Sequence, residues 1–257
     1  MNSSGFKERN KEKIDSMSKN KILKDISKKW FLESIKHEYS YHFSWLGLPI
    51  IQYPQDMIAL QEIIWKVKPD LIIETGIARG GSIIFSASLL ELIGKGEIVG
   101  IDIDIRTENK RAIKNHPLNK RITMLEGSSI DKNIFENVKK IAQGKKKILV
   151  ILDSNHTHKH VLSELKLYST FVSKNSYLIV FDTIIDDLPK ELLNNRPWGG
   201  KNNPKTAVKE FLKINQRFCV DKSLEKKLVF TAAPMGYLKC IENKNIKKIK
   251  NKTINQS

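Results

Sequence analysis

Cysteine is scarce, long apolar runs are missing, and acids are far fewer than bases. The two cysteines, Cys219 and Cys240, stand outside any C-x-x-C spacing. That argues against a disulfide scaffold or a cysteine zinc site and suits ordinary thiols of a reducing compartment. No apolar stretch reaches the ~18–20 residues needed to span a bilayer. The opening MNSSGFKERNKEK has no apolar segment of a secretory signal. There is no His-Glu-x-x-His, no P-loop Lys-Ser/Thr and no G-x-G-x-x-G, which removes the zinc-peptidase, P-loop and standard dinucleotide motifs. No RNA-binding signature with interleaved aromatics is visible, so no nucleic acid is expected as a partner. A cytoplasmic protein is expected, in contact with membranes peripherally if at all.

What is present is 257 residues, enough for one α/β domain with terminal additions. Lys and Arg number 45 against 28 Asp and Glu, a net charge of +17. Residues 1–29 carry nine bases and four acids, and residues 241–257 five Lys and Glu242, so the two ends hold +5 and +4 of that charge. The bland explanation is a Lys/Asn/Ile-rich background composition; the alternative is weak contact of basic tails with an anionic membrane. The expected organisation is a flexible basic tail at 1–29, an aromatic-rich helix or lid at 30–53, a catalytic domain at 54–241 and a basic tail at 242–257. The 30–53 stretch carries Trp30, Phe31, Tyr39, Tyr41, Phe43, Trp45 and Tyr53. It either packs on the main sheet or folds over a ligand. A homo-oligomer is compatible with the sequence.

From residue 54 the pattern alternates. Apolar spacing predicts helices at Pro54 to Lys66, Ser82 to Ile93, Thr107 to Asn115, Ile134 to Gln143 and His158 to Phe171. Between them lie short apolar strands at Leu71–Ile73, Glu97–Ile103, Ile122–Glu126, Ile148–Leu152 and Tyr177–Phe181. A helix at about 205–215 and two strands within 227–241 complete the expectation. Near-continuous apolar strands in βαβα order mean a parallel sheet covered on both faces, with ligands outside the strands' C-terminal ends.

The first strand ends in Glu74-Thr75-Gly76-Ile77-Ala78-Arg79-Gly80-Gly81-Ser82. Gly76 and Gly80 allow a tight turn and close approach of a ligand to bare backbone, and the helix that follows supplies amide donors. The order G-x-x-x-G-G with a preceding acid departs from a dinucleotide loop and suits S-adenosylmethionine. Asp102, at the end of the second strand, is placed to accept from ribose hydroxyls, as in dinucleotide sites. Asp104 reads as a solvated partner of Arg106. The turn after the third strand, Glu126-Gly127-Ser128-Ser129-Ile130-Asp131, offers small polar groups to an adenine edge, or is simply a turn.

ETGIARGGS, GIDID and LEGSSID resemble the cofactor motifs of class I S-adenosylmethionine-dependent methyltransferases. More closely, SWLGLPIIQYPQDMIALQEIIWKVKPDLIIETG, LDSNHTHKHVLSEL, VFDT and RPWGGKNNPKTAVKEFL resemble the rhamnosyl O-methyltransferase / cephalosporin hydroxylase family, over roughly residues 40–240. The resemblance implies an α/β, Rossmann-like class I methyltransferase fold: a mostly parallel seven-stranded sheet, helices on both faces and an antiparallel C-terminal strand. It implies S-adenosylmethionine and a divalent metal, usually Mg²⁺. Glu74, Gly76 and Ser82 would fall around the methionine part, Asp102 at the ribose and Ser129 at the adenine.

Asp153 and Asp182 end the fourth and fifth strands, so both carboxylates emerge at one sheet edge. Two carboxylates plus waters suit Mg²⁺, and the resemblance supports both as ligands; a helix cap is the alternative for Asp153. Relatives often carry an acid where this chain has Phe181, so the third ligand is Thr183, Asp186 or water. His156 and His160 share a helical face, as a zinc pair would, though no His-Glu-x-x-His or nearby cysteine accompanies them; His156 is the candidate general base, with a surface histidine as the plainer alternative. Trp198, in the loop Arg196 to Pro204, is either a platform for a sugar face or the anchor of a turn. The expected function is O-methylation of a hydroxyl on a sugar, glycolipid or glycosylated metabolite. A cephalosporin-hydroxylase-like oxygenase and a non-catalytic S-adenosylmethionine-binding protein are the rivals. The first lacks any His-x-Asp/Glu for a facial triad; Phe181 keeps the second alive.

Overall fold

The computed structural model describes residues 3–242. Two helices come first, α1 (Ser3–Lys19) and α2 (Lys21–Lys36), then a hairpin of β1 (Phe43–Trp45) and β2 (Leu48–Ile50). The alternating part runs α3 (Pro54–Val67), β3 (Leu71–Thr75), α4 (Gly81–Ile93), β4 (Glu97–Asp102), α5 (Thr107–Asn115) and β5 (Ile122–Glu126). It continues through α6 (Lys132–Ala142), β6 (Ile148–Leu152), α7 (His158–Tyr168) and β7 (Tyr177–Val180). Last come α8 (Pro204–Ile214), β8 (Phe218–Val220), α9 (Lys222–Leu228) and β9 (Tyr237–Cys240).

Every residue of β3 and β6 is buried, which is why both read as unbroken apolar runs. Their side chains divide between two cores. Ile72, Leu149 and Ile151 face α3 and α4, while Leu71, Ile73, Val150 and Leu152 face the layer of α6, α7 and α8. The period-2 alternation of a strand thus loads both faces of one sheet. The seven strands lie in the order β5-β4-β3-β6-β7-β9-β8, with β9 antiparallel to both neighbours and the others running the same way.

Register then places the site. Thr75 pairs with Ile101 and with Leu152, Asp102 with Glu126, and Leu152 with Val180. Gly76, Asp102, Gly127, Asp153 and Asp182 therefore all leave the sheet at one edge. The chain winds outward from β3 to β5 and returns to β6 on the other side of β3. The strand order reverses between β3 and β6, where a crevice opens.

One expectation needs correction. Residues 227–241 hold one strand, not two: Asp221 accepts from the amides of Ser223 and Leu224 and caps helix α9, so the other strand is β8. The expected tail at 1–29 is helical from Ser3 onward, and α1 touches α9 through Asp15 and Lys226 at 2.7 Å. Asn20 caps α2 by accepting from Leu23 N at 3.0 Å. The basic segment after Glu242 lies outside the described residues. No helix among the described residues is long and apolar enough to cross a membrane.

The 30–53 stretch packs against α4 and the segment ahead of β9. Trp45 packs edge-on against Phe85 of α4 at 4.8 Å, and Phe31, Tyr39, Tyr53 and Phe230 form an aromatic cluster. Buried Asp56 ties α3 to β9 and to the segment just ahead of it. It accepts from Ala232 N at 2.8 Å, from Tyr237 Oη at 2.7 Å and from Thr231 Oγ1.

Candidate active site

The Glu74–Ser82 loop sits at the β3–β6 crevice. Gly76 has φ +93° and Gly80 φ +88°, a region that side chains other than glycine rarely adopt. A Cβ on Gly76 would lie 2.1 Å from Asp153 O, so the end of β6 passes directly over it. Glu74 is buried. Ser82 Oγ donates to its Oε1, while Oε2 has no partner among the described residues. Burial pushes its carboxyl up to about 7.

Asp102 holds this loop rather than standing free. Its Oδ2 accepts from Ile77 N at 2.8 Å and Ala78 N at 3.1 Å, and its Oδ1 from Asp104 N at 3.3 Å. It still lines a cavity of about 300 Å³ together with Gly76, Gly127, Ser129, Asp153 and His160. Ser129 turns its hydroxyl inward to Glu164 at 2.6 Å.

Asp153, His156 and Asp182 form the second cluster, with one ligand atom from each within 4.8 Å of the others. His156 Nε2 is 3.3 Å from Asp182 Oδ2, and its ring stands edge-on to Trp198 at 4.8 Å. Gln52 Nε2 donates to Asp153 Oδ2 at 2.8 Å. Burial, reinforced by the charges of Asp182, Glu74 and Glu164, holds the Asp153 carboxyl well above the usual carboxylate range. Asp182 takes a left-handed backbone, φ +55°, at the end of β7, an uncommon conformation outside glycine that is frequent at functional positions. Beyond this cluster opens a second cavity of about 350 Å³, walled by Phe31, Tyr39, Tyr53 and Trp198, with His156 and Asp182 also lining it.

The three histidines of Ser154-Asn155-His156-Thr157-His158-Lys159-His160 part company. Thr157 is the N-cap of α7, so His156 precedes the helix and shares no helical face with His160. His156 meets the carboxylate pair. His158 clamps α7 to α8 through Thr206 at 2.8 Å and Glu210 at 3.1 Å, and His160 lines the first cavity. Asp153 accepts from Gln52 and is not the cap of α7.

Phe181 points into the core, 3% exposed and packed near Tyr237, so it does not compete for the cluster. Neither expected substitute joins it. Thr183 donates to Pro234 O, and Asp186 is engaged by Asn203 and Lys209. The third donor in reach is His156. Gln52, His160 and Glu164 were not legible as site residues. The i, i+4 spacing of His160 and Glu164 was the one available signal; Gln52 left none.

The sheet order with its single reversed strand, the glycine loop at the switch point and the paired carboxylates form a coherent whole, and the family model for rhamnosyl O-methyltransferase/CmcI matches residues 37–241. The chain belongs to the rhamnosyl O-methyltransferase/CmcI family. As a member it is a methyltransferase. The rhamnosyl O-methyltransferase of Mycobacterium leprae (strain TN) is 30% identical over 196 residues, 76% of this chain and 82% of the relative. That of Mycobacterium tuberculosis (strain ATCC 25618 / H37Rv) is 29% identical over 198 residues, 76% and 77% of the two chains. Among solved structures, CmcI with Mg and SAM has a TM-score of 0.56 at 18% identity, over 79% of this chain and 78% of that one. An apo CmcI structure has a TM-score of 0.54, also at 18% identity, over 79% and 77%. At that identity the likeness carries the fold. The oxygenase alternative is not favoured: the cluster has one histidine and two carboxylates, the reverse of a facial triad.

Proposed function

We propose that this chain transfers the methyl group of S-adenosylmethionine to a hydroxyl of a sugar, glycolipid or glycosylated metabolite, assisted by Mg²⁺. One observation carries the reading. Asp153 lines the first cavity, while His156 and Asp182 line the second, so the carboxylate cluster stands between the two. The names of the relatives support it: a CmcI structure holds Mg and SAM, and the mycobacterial proteins are named for rhamnosyl acceptors.

The residues fit both groups. The buried, partnerless Oε2 of Glu74 suits an ammonium or N–H donor such as the methionine amine, and Asp102 stands at the cavity wall for a ribose diol. Asp153 and Asp182 offer the oxygen donors that Mg²⁺ prefers. S-adenosylmethionine supplies an electrophilic methyl group, and a bound divalent cation supplies Lewis acidity that lowers the pKa of a nearby hydroxyl.

The chain's own part is positioning and proton transfer. Gln52 fixes one oxygen of Asp153. Imidazole is a poor partner for Mg²⁺, which leaves His156 to take the hydroxyl proton through Nδ1, the ring nitrogen turned away from Asp182, with Nε2 oriented by Asp182 and the ring braced by Trp198. The aromatic walls exclude water and seat the acceptor. The excess of Lys at both ends of the chain supports peripheral contact with an anionic membrane, where a glycolipid acceptor would lie.

Incubation with S-adenosylmethionine, Mg²⁺ and hydroxylated glycans should yield S-adenosylhomocysteine. EDTA should abolish turnover and added Mg²⁺ restore it. A protein that binds S-adenosylmethionine in calorimetry yet methylates no hydroxylated acceptor would instead be the non-catalytic binder.

A further inference from the structure

Ser129, the residue expected at the adenine, spends its hydroxyl elsewhere, and the consequence falls on His160. Glu164 lies one turn of α7 beyond His160 and is 0% exposed. Its Oε1 accepts from Ser129 Oγ at 2.6 Å and from Ser154 Oγ at 2.7 Å, while its Oε2 has no partner among the described residues. Ser129 is held further by its carbonyl, which accepts from Tyr168 Oη at 2.6 Å.

A serine hydroxyl has one proton to give, and both serines give theirs to Glu164. His160 Nε2 lies 3.0 Å from Ser129 Oγ and 3.4 Å from Ser154 Oγ. Oxygens that have already donated can only accept, so Nε2 is the donor. In the neutral ring Nδ1 is then an acceptor, and it makes no hydrogen bond among the described residues. The ring lines the first cavity with its side chain 18% exposed.

We propose that His160 discriminates the base of the cofactor: Nδ1 accepts from an exocyclic amine, so the site takes an amino-purine and turns away an oxo-purine. Glu164 is its positioning residue, because it draws both serine protons and thereby sets the tautomer. The proposal rests on the S-adenosylmethionine reading above. An oxo-purine would set a carbonyl oxygen against Nδ1, and two facing acceptors leave both unsatisfied.

The test compares calorimetric titration with S-adenosylhomocysteine and with S-inosylhomocysteine, which differ only at that edge. The wild type should prefer the adenosyl ligand by about tenfold or more, the effect of one hydrogen bond exchanged for an unsatisfied acceptor. His160→Phe should bring the ratio near one. His160→Asn, whose amide oxygen can stand near the Nδ1 position, should restore part of the preference. Nitrogen NMR of the ligand-free protein should show the proton of His160 on Nε2; a proton on Nδ1 overturns the proposal whatever binds. Equal affinities in the wild type overturn the role of His160 alone. Binding of neither ligand overturns the S-adenosylmethionine reading, and this one with it.

Discussion

The two halves of the site are built by different means. The half proposed for the cofactor is made largely by backbone at the ends of adjacent strands: the turn at Gly76, the Ile77 and Ala78 amides on Asp102, and the close passage of Asp153 O. The half proposed for the acceptor is made by side chains gathered from Phe31 and Tyr53 through His156 and Asp182 to Trp198. A wall of backbone changes only if the sheet edge changes. A wall of side chains can be retuned for another acceptor while the sheet stays as it is. Phe31 and Ile35, both on the wall of the second cavity, precede the family-matched residues 37–241.

That contrast can be broken in several places. The largest effect belongs to Asp182→Ala, which should lower kcat by about 10³-fold through loss of several kcal/mol of charge stabilisation. S-adenosylhomocysteine affinity, measured by calorimetry, should change little; a parallel loss would mean the halves are not separable.

Next comes a pH effect confined to the cofactor half. Glu74 titrates at about 7 in the folded, ligand-free chain against an ordinary 4.5, so the folded state holds this proton more tightly. Its contribution to stability is full below pH 4.5 and lost as pH rises through about 7, an effect of about 3 kcal/mol. Urea melts across that window should show the decline, and Glu74→Gln should flatten it. A decline that persists in the variant would assign the proton to another group.

Gln52→Leu should weaken Mg²⁺ binding about 10–100-fold, the usual cost of losing a group that orients a metal ligand. Titration of the cation into the cofactor-loaded protein checks this, and unchanged affinity would remove Gln52 from the site. The smallest effect is expected at Trp198. Trp198→Ala frees the His156 ring and should cost about tenfold in kcat/KM, less than the ~10²–10⁴-fold of losing the base itself, while Trp198→Phe keeps an aromatic edge there and stays near wild type. A loss equal for both variants would make Trp198 an acceptor contact instead.

The cofactor half was the more legible of the two. Gly76 and Gly80 announce a turn by their type alone, and Asp102 follows from where an apolar strand stops. The acceptor half was not, because the residues that form it carry no local pattern. Gln52 sits in an ordinary loop and reaches Asp153 only across the fold. Phe181 looked like a defect in a ligand set because the resemblance implies an acid there; the alternation at the end of β7 turns Phe181 into the core and Asp182 to the crevice. The histidines show the same limit: with α7 starting at His158, His156 lies ahead of the helix, and only packing sends His156 and His160 to different cavities.

The sequence by itself determined the alternating sheet, the glycine loop at its first strand and the two carboxylates at one edge, because strand burial and turn geometry obey rules a few residues long. Only the tertiary structure decided that Asp102 is tied to the loop, that His156 joins Asp153 and Asp182, and that Ser129 gives its proton to Glu164. Those depend on which groups are brought within hydrogen-bond reach from distant segments, and in a buried site each polar group takes the partner that packing leaves it.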